Sequence, residues 1–229
     1  MNQNLISVII PCQNGINYLK EAIDSVKRQE MNTEIIVVDD GSTDDTANLA
    51  RKCGVRVYSI PRSGSSVARN VGLKNAKGDF VLFLDHDDIL TENALKTLYN
   101  EFISDVSLGF VQGKLQDFIS PELDNDDKKS LAPRKEPYGG TLAGAFLFKK
   151  SIFDIVGGFD ENLKTGENVE FILRLNNTNG GGGIKTKKID FIATLRRLHK
   201  TNKGRTMQKQ ENKDYSTILR AKILARKPK

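Results

Sequence analysis

Cysteine is scarce in this sequence, and no stretch of it stays apolar for long. The 229 residues hold two cysteines, Cys12 and Cys53, with no Cys-x-x-Cys and no histidine pair at metal spacing. That excludes a disulfide framework and a zinc cluster, and leaves two reduced thiols. No apolar run approaches the ~18–20 residues that span a bilayer. Met1 to Leu5 lacks the basic start and long apolar stretch of a secretory leader, so the expected location is cytoplasmic. No internal repeat recurs. No Gly-x-Gly-x-x-Gly follows the first strand-like segment, which argues against an NAD-dependent dehydrogenase, and a nucleotidyltransferase's Gly-rich phosphate loop is also missing.

What is present is enough apolar side chain for one sizeable core: 38% of residues are hydrophobic and 28% charged. The net charge of +6 hides an asymmetry. Up to Gly183 the chain carries 20 basic and 26 acidic residues, and beyond it 15 basic and 3 acidic. A tail of that sign suits the phosphates of nucleotides, lipid head groups or nucleic acid, or serves solubility alone.

Leu5 to Ile10 and Glu34 to Val38 are apolar, β-branched runs closed by Pro11 and by Asp39-Asp40-Gly41, and both read as buried strands. Between them Tyr18-Leu19, Ala22-Ile23 and Val26 recur at helical spacing, which makes a β-α-β unit with parallel strands. Ser42-Thr43-Asp44-Asp45 supplies an N-cap and an acidic first turn for a helix ending near Lys52, and Val55 to Ile60 gives a third strand. Helix Ser65 to Ala76, strand Phe80 to Leu84 and helix Thr91 to Phe102 continue the alternation. The fold class is α/β, a doubly wound sheet whose ligands sit beyond the carboxyl ends of the strands. The second half is less regular. It predicts a strand over Gly109 to Phe118, a surface loop over Pro121 to Pro137, short segments at Ala143 to Lys149 and Ser151 to Val156, a helix over Val169 to Leu175 and a flexible connection from Asn176 to Gly183.

Asp39-Asp40 and Asp85-His86-Asp87-Asp88 both fall at the ends of strands expected to be neighbours, where close like charges repel unless a cation or hydrogen-bond donors lie between them. Asp85-x-Asp87 at a strand terminus presents two carboxylates about one pleat period apart, which suits a hard divalent cation that itself holds a diphosphate. The plainer alternative is an N-cap and first-turn charge at Asp87-Asp88 before Ile89.

These clusters stand within a longer series: Val8-Ile9-Ile10-Pro11-Cys12-Gln13-Asn14, Val37-Val38-Asp39-Asp40-Gly41-Ser42-Thr43-Asp44, Ala68-Arg69-Asn70-Val71-Gly72, Ala76-Lys77-Gly78-Asp79 and Leu84-Asp85-His86-Asp87-Asp88. In this order and spacing the chain resembles the family-2 glycosyltransferases of GT-A fold. Gly157-Gly158-Phe159-Asp160-Glu161, Gly166-Glu167-Asn168 and Arg197-Leu198-His199 extend the match over most of residues 5–200. The resemblance implies a GT-A type, Rossmann-like mixed sheet flanked by helices, with an irregular acceptor half. It implies a single domain over 1–229, divided into a nucleotide-sugar-binding half (1–115), an acceptor half (116–205) and a basic C-terminal tail (206–229).

The activity implied is hexosyltransferase-like, from a nucleotide-diphospho-sugar with UDP favoured to an unknown hydroxyl acceptor, inverting and assisted by Mn²⁺ or Mg²⁺. The acceptor class is open: polysaccharide, lipid-linked or small molecule. By the same resemblance Asp40 meets the base, Arg69 lies near base and phosphates, and Pro11, Gln13 and Asn14 belong to the loop edging the base. Asp85 falls near the ribose with His86 beside it, Asp87 is a metal ligand, and His199 closes on the metal or the diphosphate.

Two positions depart from the family pattern. Gln13 stands where an aromatic platform is usual. Asn168 stands where an Asp serves as general base, and an amide oxygen has no appreciable basicity at neutral pH. Glu167 is the obvious substitute base, although neighbours on a helix point ~100° apart. If neither serves, a catalytically impaired nucleotide-sugar-binding protein is the alternative. For the basic end, Arg196, Arg197, Lys200, Lys203 and Arg205 are suited to a mobile segment folding over the diphosphate. Tyr215 to Lys229 is suited to peripheral contact with an anionic membrane at the inner face. A packed C-terminal helix is the plain alternative. No nucleic-acid partner is expected, since the tail would have to bind it alone.

Overall fold

The computed structural model describes residues 4–139, 143–178 and 183–202. The expected alternation is present: β1 (Ile6–Cys12), α1 (Leu19–Lys27), β2 (Thr33–Asp40), α2 (Thr46–Lys52), β3 (Arg56–Ile60), α3 (Ser65–Asn75) and β4 (Phe80–Phe83). β1 lies between β2 and β4 and pairs with both in parallel, and β3 adds in parallel outside β2. Every residue of β1 and β4 is buried, as strands covered by helices on both faces must be. α1 turns Leu19, Ala22, Ile23 and Val26 inward, the stripe its spacing predicts.

Then come β5 (Ile89–Leu90), α4 (Ala94–Ser104), β6 (Phe110–Ile119), α5 (Asn125–Ser130), a 3₁₀ turn at Ala143–Ala145, β7 (Phe146–Lys149), α6 (Ile152–Val156), α7 (Glu167–Asn177) and β8 (Thr186–Leu198). All eight strands form one mixed sheet in the order β3-β2-β1-β4-β7-β6-β8-β5. β7 is antiparallel to β4 and β6, β8 runs parallel to β6, and the two residues of β5 pair antiparallel with β8.

Several expectations need correction. The two acidic clusters do not end neighbouring strands, because β1 separates β2 from β4. The helix expected from Thr91 starts at Ala94: Ile89 and Leu90 are held as β5, and Asn93 takes a left-handed φ of 60°. The loop at 121–137 contains α5, capped by Asp124 Oδ1 accepting from Asp127 N at 2.8 Å.

The largest correction concerns the basic end. Residues 186–198 are a thirteen-residue strand inside the sheet, so Arg196 and Arg197 belong to β8 and not to a mobile segment, and the second half is more regular than expected. β6 itself runs across residue 115, so the two halves share a strand. Residues 179–182 of the glycine run, and Lys203, Arg205, the tail at 206–229 and its stretch Tyr215 to Lys229, lie outside the described residues. Among those described, no helix is long and apolar enough to cross a membrane.

An aromatic cluster fixes the second half against β4. Phe83 meets Phe159 edge-on at 5.0 Å and Phe153 at 5.9 Å, while Phe171 of α7 stacks on Phe153 at 5.3 Å. Such pairs add about 0.5–1.5 kcal/mol each beyond the area they bury. Asn70 completes the docking: its side chain donates to Phe159 O and accepts from Phe159 N, at 2.9 and 2.8 Å. A side chain at Gly158 would collide with Asn70 Oδ1, so glycine at that turn follows from the close approach.

Candidate functional site

The carboxyl ends of β1, β2 and β4 open on one side of the sheet, at the point where strand order reverses around β1. The loop after β1 is tied to the loop after β2. Asn14, at φ 50°, donates its N–H to Ser42 Oγ at 2.9 Å and accepts from Thr43 N at 2.8 Å, and Gly15 N donates to Thr46 Oγ1 at 2.9 Å. Gly15 itself lies so close to Cys12 Sγ and the His86 ring that no side chain fits there. Pro11 is buried in β1, Gln13 is half-buried at the start of the loop, and Cys12 is buried beneath it. Burial, with Asp39, Asp44 and Asp87 around it, pushes the Cys12 thiol well above the ordinary range and keeps it protonated.

The two β2 aspartates divide their work. Asp39 Oδ1 accepts from Ser42 N at 3.1 Å and caps the turn. Asp40 accepts from Ser63 N at 2.6 Å through one oxygen and from Gly64 N at 2.9 Å through the other. The turn is thus capped by Asp39, and Asp40 ties β2 to the entry of α3.

Arg69 is buried in α3 and bridges two elements. Its Nη2 donates to Asp85 at 2.9 Å and its Nη1 to Glu167 at 2.7 Å, with the guanidinium 5.4 Å from the Phe159 ring centre. Burial alone would lower its pKa, but the two carboxylates outweigh that and raise it. Ser65 Oγ also donates to Glu167, at 2.8 Å. Asn168 sits half-exposed on the first turn of α7, and its Oδ1 is buried with no hydrogen-bond partner.

Asp85 to Asp88 form a turn, closed by Asp88 N donating to Asp85 O at 3.1 Å, in place of the expected strand terminus. A turn aims the acids at different partners, where a pleat would align them. Asp85 faces Arg69. Asp87 Oδ2 lies 2.8 Å from His199 Nε2 and 3.3 Å from Asn202 Nδ2. Burial pushes the Asp87 carboxyl up, and the His199 hydrogen bond with the imidazoles of His86 and His199 overcomes this and leaves it below the ordinary range. Asp88 goes the other way: burial and the charges of Asp87 and Asp85 push it well above that range, though it accepts from Arg197 N at 3.0 Å.

The segment after β8 is locked onto this turn. Arg197 is buried, donates from Nε to Asp87 O at 2.9 Å and from Nη1 to Ser120 Oγ at 3.1 Å, pairs with Glu21, and lies 4.8 and 4.7 Å from the Tyr18 and Phe118 ring centres. Asn202 Oδ1 accepts from His199 N at 2.6 Å, and Tyr18 packs on the His199 ring at 4.9 Å.

Asp87 and His199 suit a hard divalent cation whose remaining ligands are phosphate oxygens and water. No group of three His, Cys, Asp or Glu that could hold a metal occurs among the described residues, so these two side chains alone do not complete a coordination shell. His199 can adapt to that role. Thr201 Oγ1 lies 3.0 Å from Nδ1 and, as a hydroxyl, can donate to it or accept from it, which permits either tautomer.

A family model described as "Glycosyl transferase family 2" matches residues 7–159. The chain belongs to that family. An uncharacterized glycosyltransferase of Rickettsia typhi is 35% identical over 187 residues, covering 72% of this chain and 57% of that protein. The minor teichoic acid biosynthesis protein GgaA of Bacillus subtilis is 37% identical over 110 residues, 43% of this chain and 25% of its own length. Among solved structures, S. aureus TarS in complex with UDP superposes with a TM-score of 0.65 at 25% identity, covering 84% of this chain and 60% of that one. The chain thus spans 57% of the R. typhi protein, 60% of the TarS chain and 25% of GgaA. The GT-A type mixed α/β fold expected from the sequence is the fold of this family 2 domain.

The structure brings Arg69, Asp85 and Glu167 into one cluster and Asp87 and His199 into another, while Pro11, Gln13, Asn14 and His86 line the β1 loop. Sequence reasoning missed Asn202, Thr201, Tyr18 and Ser120. Of these only Asn202 and Thr201 carried a signal, their nearness to the Arg197-x-His199 pattern.

Proposed function

We propose that this family 2 domain transfers a sugar from a nucleotide-diphospho-sugar, UDP-linked by preference, to a hydroxyl acceptor, with inversion and with Mn²⁺ or Mg²⁺ assistance. The observation that carries the reading is the Asp87–His199 pair at the carboxyl end of β4, 2.8 Å apart. It stands at the switch point where ligands of such sheets bind, and TarS, a structural neighbour, has been solved with UDP.

In this reading Arg69 supplies fixed positive charge near the base and phosphates, and the loop from Pro11 to Asn14 edges the base. Asp85 and His86 border the ribose, and Asp40 meets the base while holding the entry of α3. Asp87 and His199 hold the cation, which when bound neutralises charge developing on the departing diphosphate. Asn202 and Arg197 keep that pair oriented.

The acceptor (polysaccharide, lipid-linked or small molecule) is recognised by the second half, and the basic tail rests against an anionic membrane surface. The test is a thermal-shift series with UDP and UDP-sugars, with and without Mn²⁺, followed by sugar release. A metal-dependent shift is expected, because ligands stabilise by mass action. No shift with any metal and nucleotide pair removes the reading.

One observation favours a second reading, a catalytically impaired nucleotide-sugar binder. Asn168 cannot take a proton, and Glu167 is engaged by Arg69 and Ser65. Asn168→Asp decides between them: a large gain in turnover supports impairment, and no gain supports an active wild-type site.

A further inference from the structure

We infer that Glu167 is a positioning residue for Arg69 and that it acts on the donor side of the reaction. The inference rests on the proposed donor site and adds to it a coupling between two parts of the chain far apart in sequence. Glu167 Oε1 is the acceptor for both Ser65 Oγ and Arg69 Nη1, at 2.8 and 2.7 Å, and its side chain is only 9% exposed.

An oxygen that accepts from both a guanidinium and a hydroxyl has its lone pairs engaged. The same contacts make it a good anchor. Arg69 is 4% exposed at its side chain, its Nε has no partner, and its two terminal nitrogens go to different elements: Asp85 in the turn after β4 and Glu167 at the start of α7. A planar fork held at both tips cannot swing. Without Glu167 the guanidinium keeps Asp85 alone and can rotate about that bond, so the positive charge offered to the donor loses its fixed direction. Ser65, four residues before Arg69 on α3, holds the same carboxylate oxygen and fixes where Glu167 points.

The experiment compares UDP affinity with Mn²⁺ by calorimetry, and donor KM, kcat and the pH profile of kcat, for wild type, Glu167→Gln, Glu167→Ala and Ser65→Ala. Glu167→Gln keeps an oxygen that accepts from Ser65 and Arg69. It is expected to retain kcat within ~10-fold, with the pH profile unmoved, since a lost general base costs ~10²–10⁴-fold. Glu167→Ala is expected to weaken UDP binding ~10-fold and to raise donor KM more than it lowers kcat, and Ser65→Ala to do the same by less, in line with the cost of one charge-assisted hydrogen bond.

Loss of the acidic limb of the profile in Glu167→Gln, or unchanged UDP affinity in Glu167→Ala, overturns the assignment. Should Glu167→Ala not fold, Glu167→Gln and Ser65→Ala still decide it through the pH profile and UDP affinity. Failure of wild type itself to bind UDP falls on the donor-site reading instead, so the two failures are told apart.

Discussion

The half of the molecule built on β1 to β4 and the half built on β6 to β8 place their functional side chains by different means. In the first, the site residues other than Arg69 of α3 sit at or just past the end of a buried strand, and their positions follow from the strand's own apolar run and the short loop beyond it. In the second, position comes from single side-chain contacts over long sequence separations: Asn70 to Phe159, Arg69 to Glu167, Arg197 to the turn at 85–88 and His199 to Asp87. Local patterning therefore gives the first half robustness to single changes, and the second half depends on a few buried polar bonds, each costly to break.

That contrast can be broken in order of effect. Asp87→Ala removes one of the two side chains proposed to hold the cation. It should lower sugar transfer at least ~100-fold, in line with the loss of a major electrostatic stabiliser. EDTA should do the same to wild type, with Mn²⁺ restoring the rate in a UDP-release assay.

Arg197→Ala leaves Glu21 and Ser120 without their cation and frees the turn backbone. About 1.5–3 kcal/mol of stability should disappear, read as the urea midpoint, because Asp87 O and Ser120 Oγ lose a charged donor, while half-exposed Glu21 returns to water. Asn70→Ala unpins the 157–161 turn and should cost about 1–3 kcal/mol, the price of leaving a buried N–H and carbonyl unpaired.

The first half offers a milder test. Glu34 on β2 accepts from Ser7 Oγ at 2.6 Å and pairs with Arg56 on β3. Burial pushes its pKa up, but these bonds and the Lys77 N–H prevail and hold it below the ordinary range. A lowered folded pKa contributes stability above the unfolded value and loses it as pH falls through the folded one. Glu34→Gln should therefore lower the melting temperature at pH 7, by the equivalent of about 1 kcal/mol. The gap to wild type should close as the pH drops below the usual glutamate range. The smallest effect is chemical: thiol reagents should label half-buried Cys53 and spare Cys12, whose thiol is buried and protonated.

The sequence disclosed these halves unequally for a physical reason. β1, β2 and β4 are buried on both faces, so they show as unbroken apolar runs, and the acids that follow them mark their ends. β8 begins Thr186-Lys187-Lys188 with exposed side chains and buries chiefly Ala193, Thr194, Arg197 and Leu198. Its four lysines and arginines break up its six apolar residues, and the charge count assigns it to a basic tail. Asp85-x-Asp87 was legible as a pair of acids but not as a turn, because the turn is held by partners more than a hundred residues away. Asp40 and Asn14 were legible as site residues from their motif. The hydrogen bonds that tie them to Ser63, Gly64 and Thr43 depend on the packing of neighbouring loops, which no spacing records.

β8 lies between β6 and β5 in the sheet, though it is the last of the eight strands to be made. During synthesis, then, β5 waits with no neighbour to pair with, and Asp87 waits for its histidine, until more than a hundred further residues have been added. Closing so long a loop late is slow, and a ribosome-bound chain has the acid but not yet its counterpart. Asp87 and His199 meet only as the last strand of this sheet slides home.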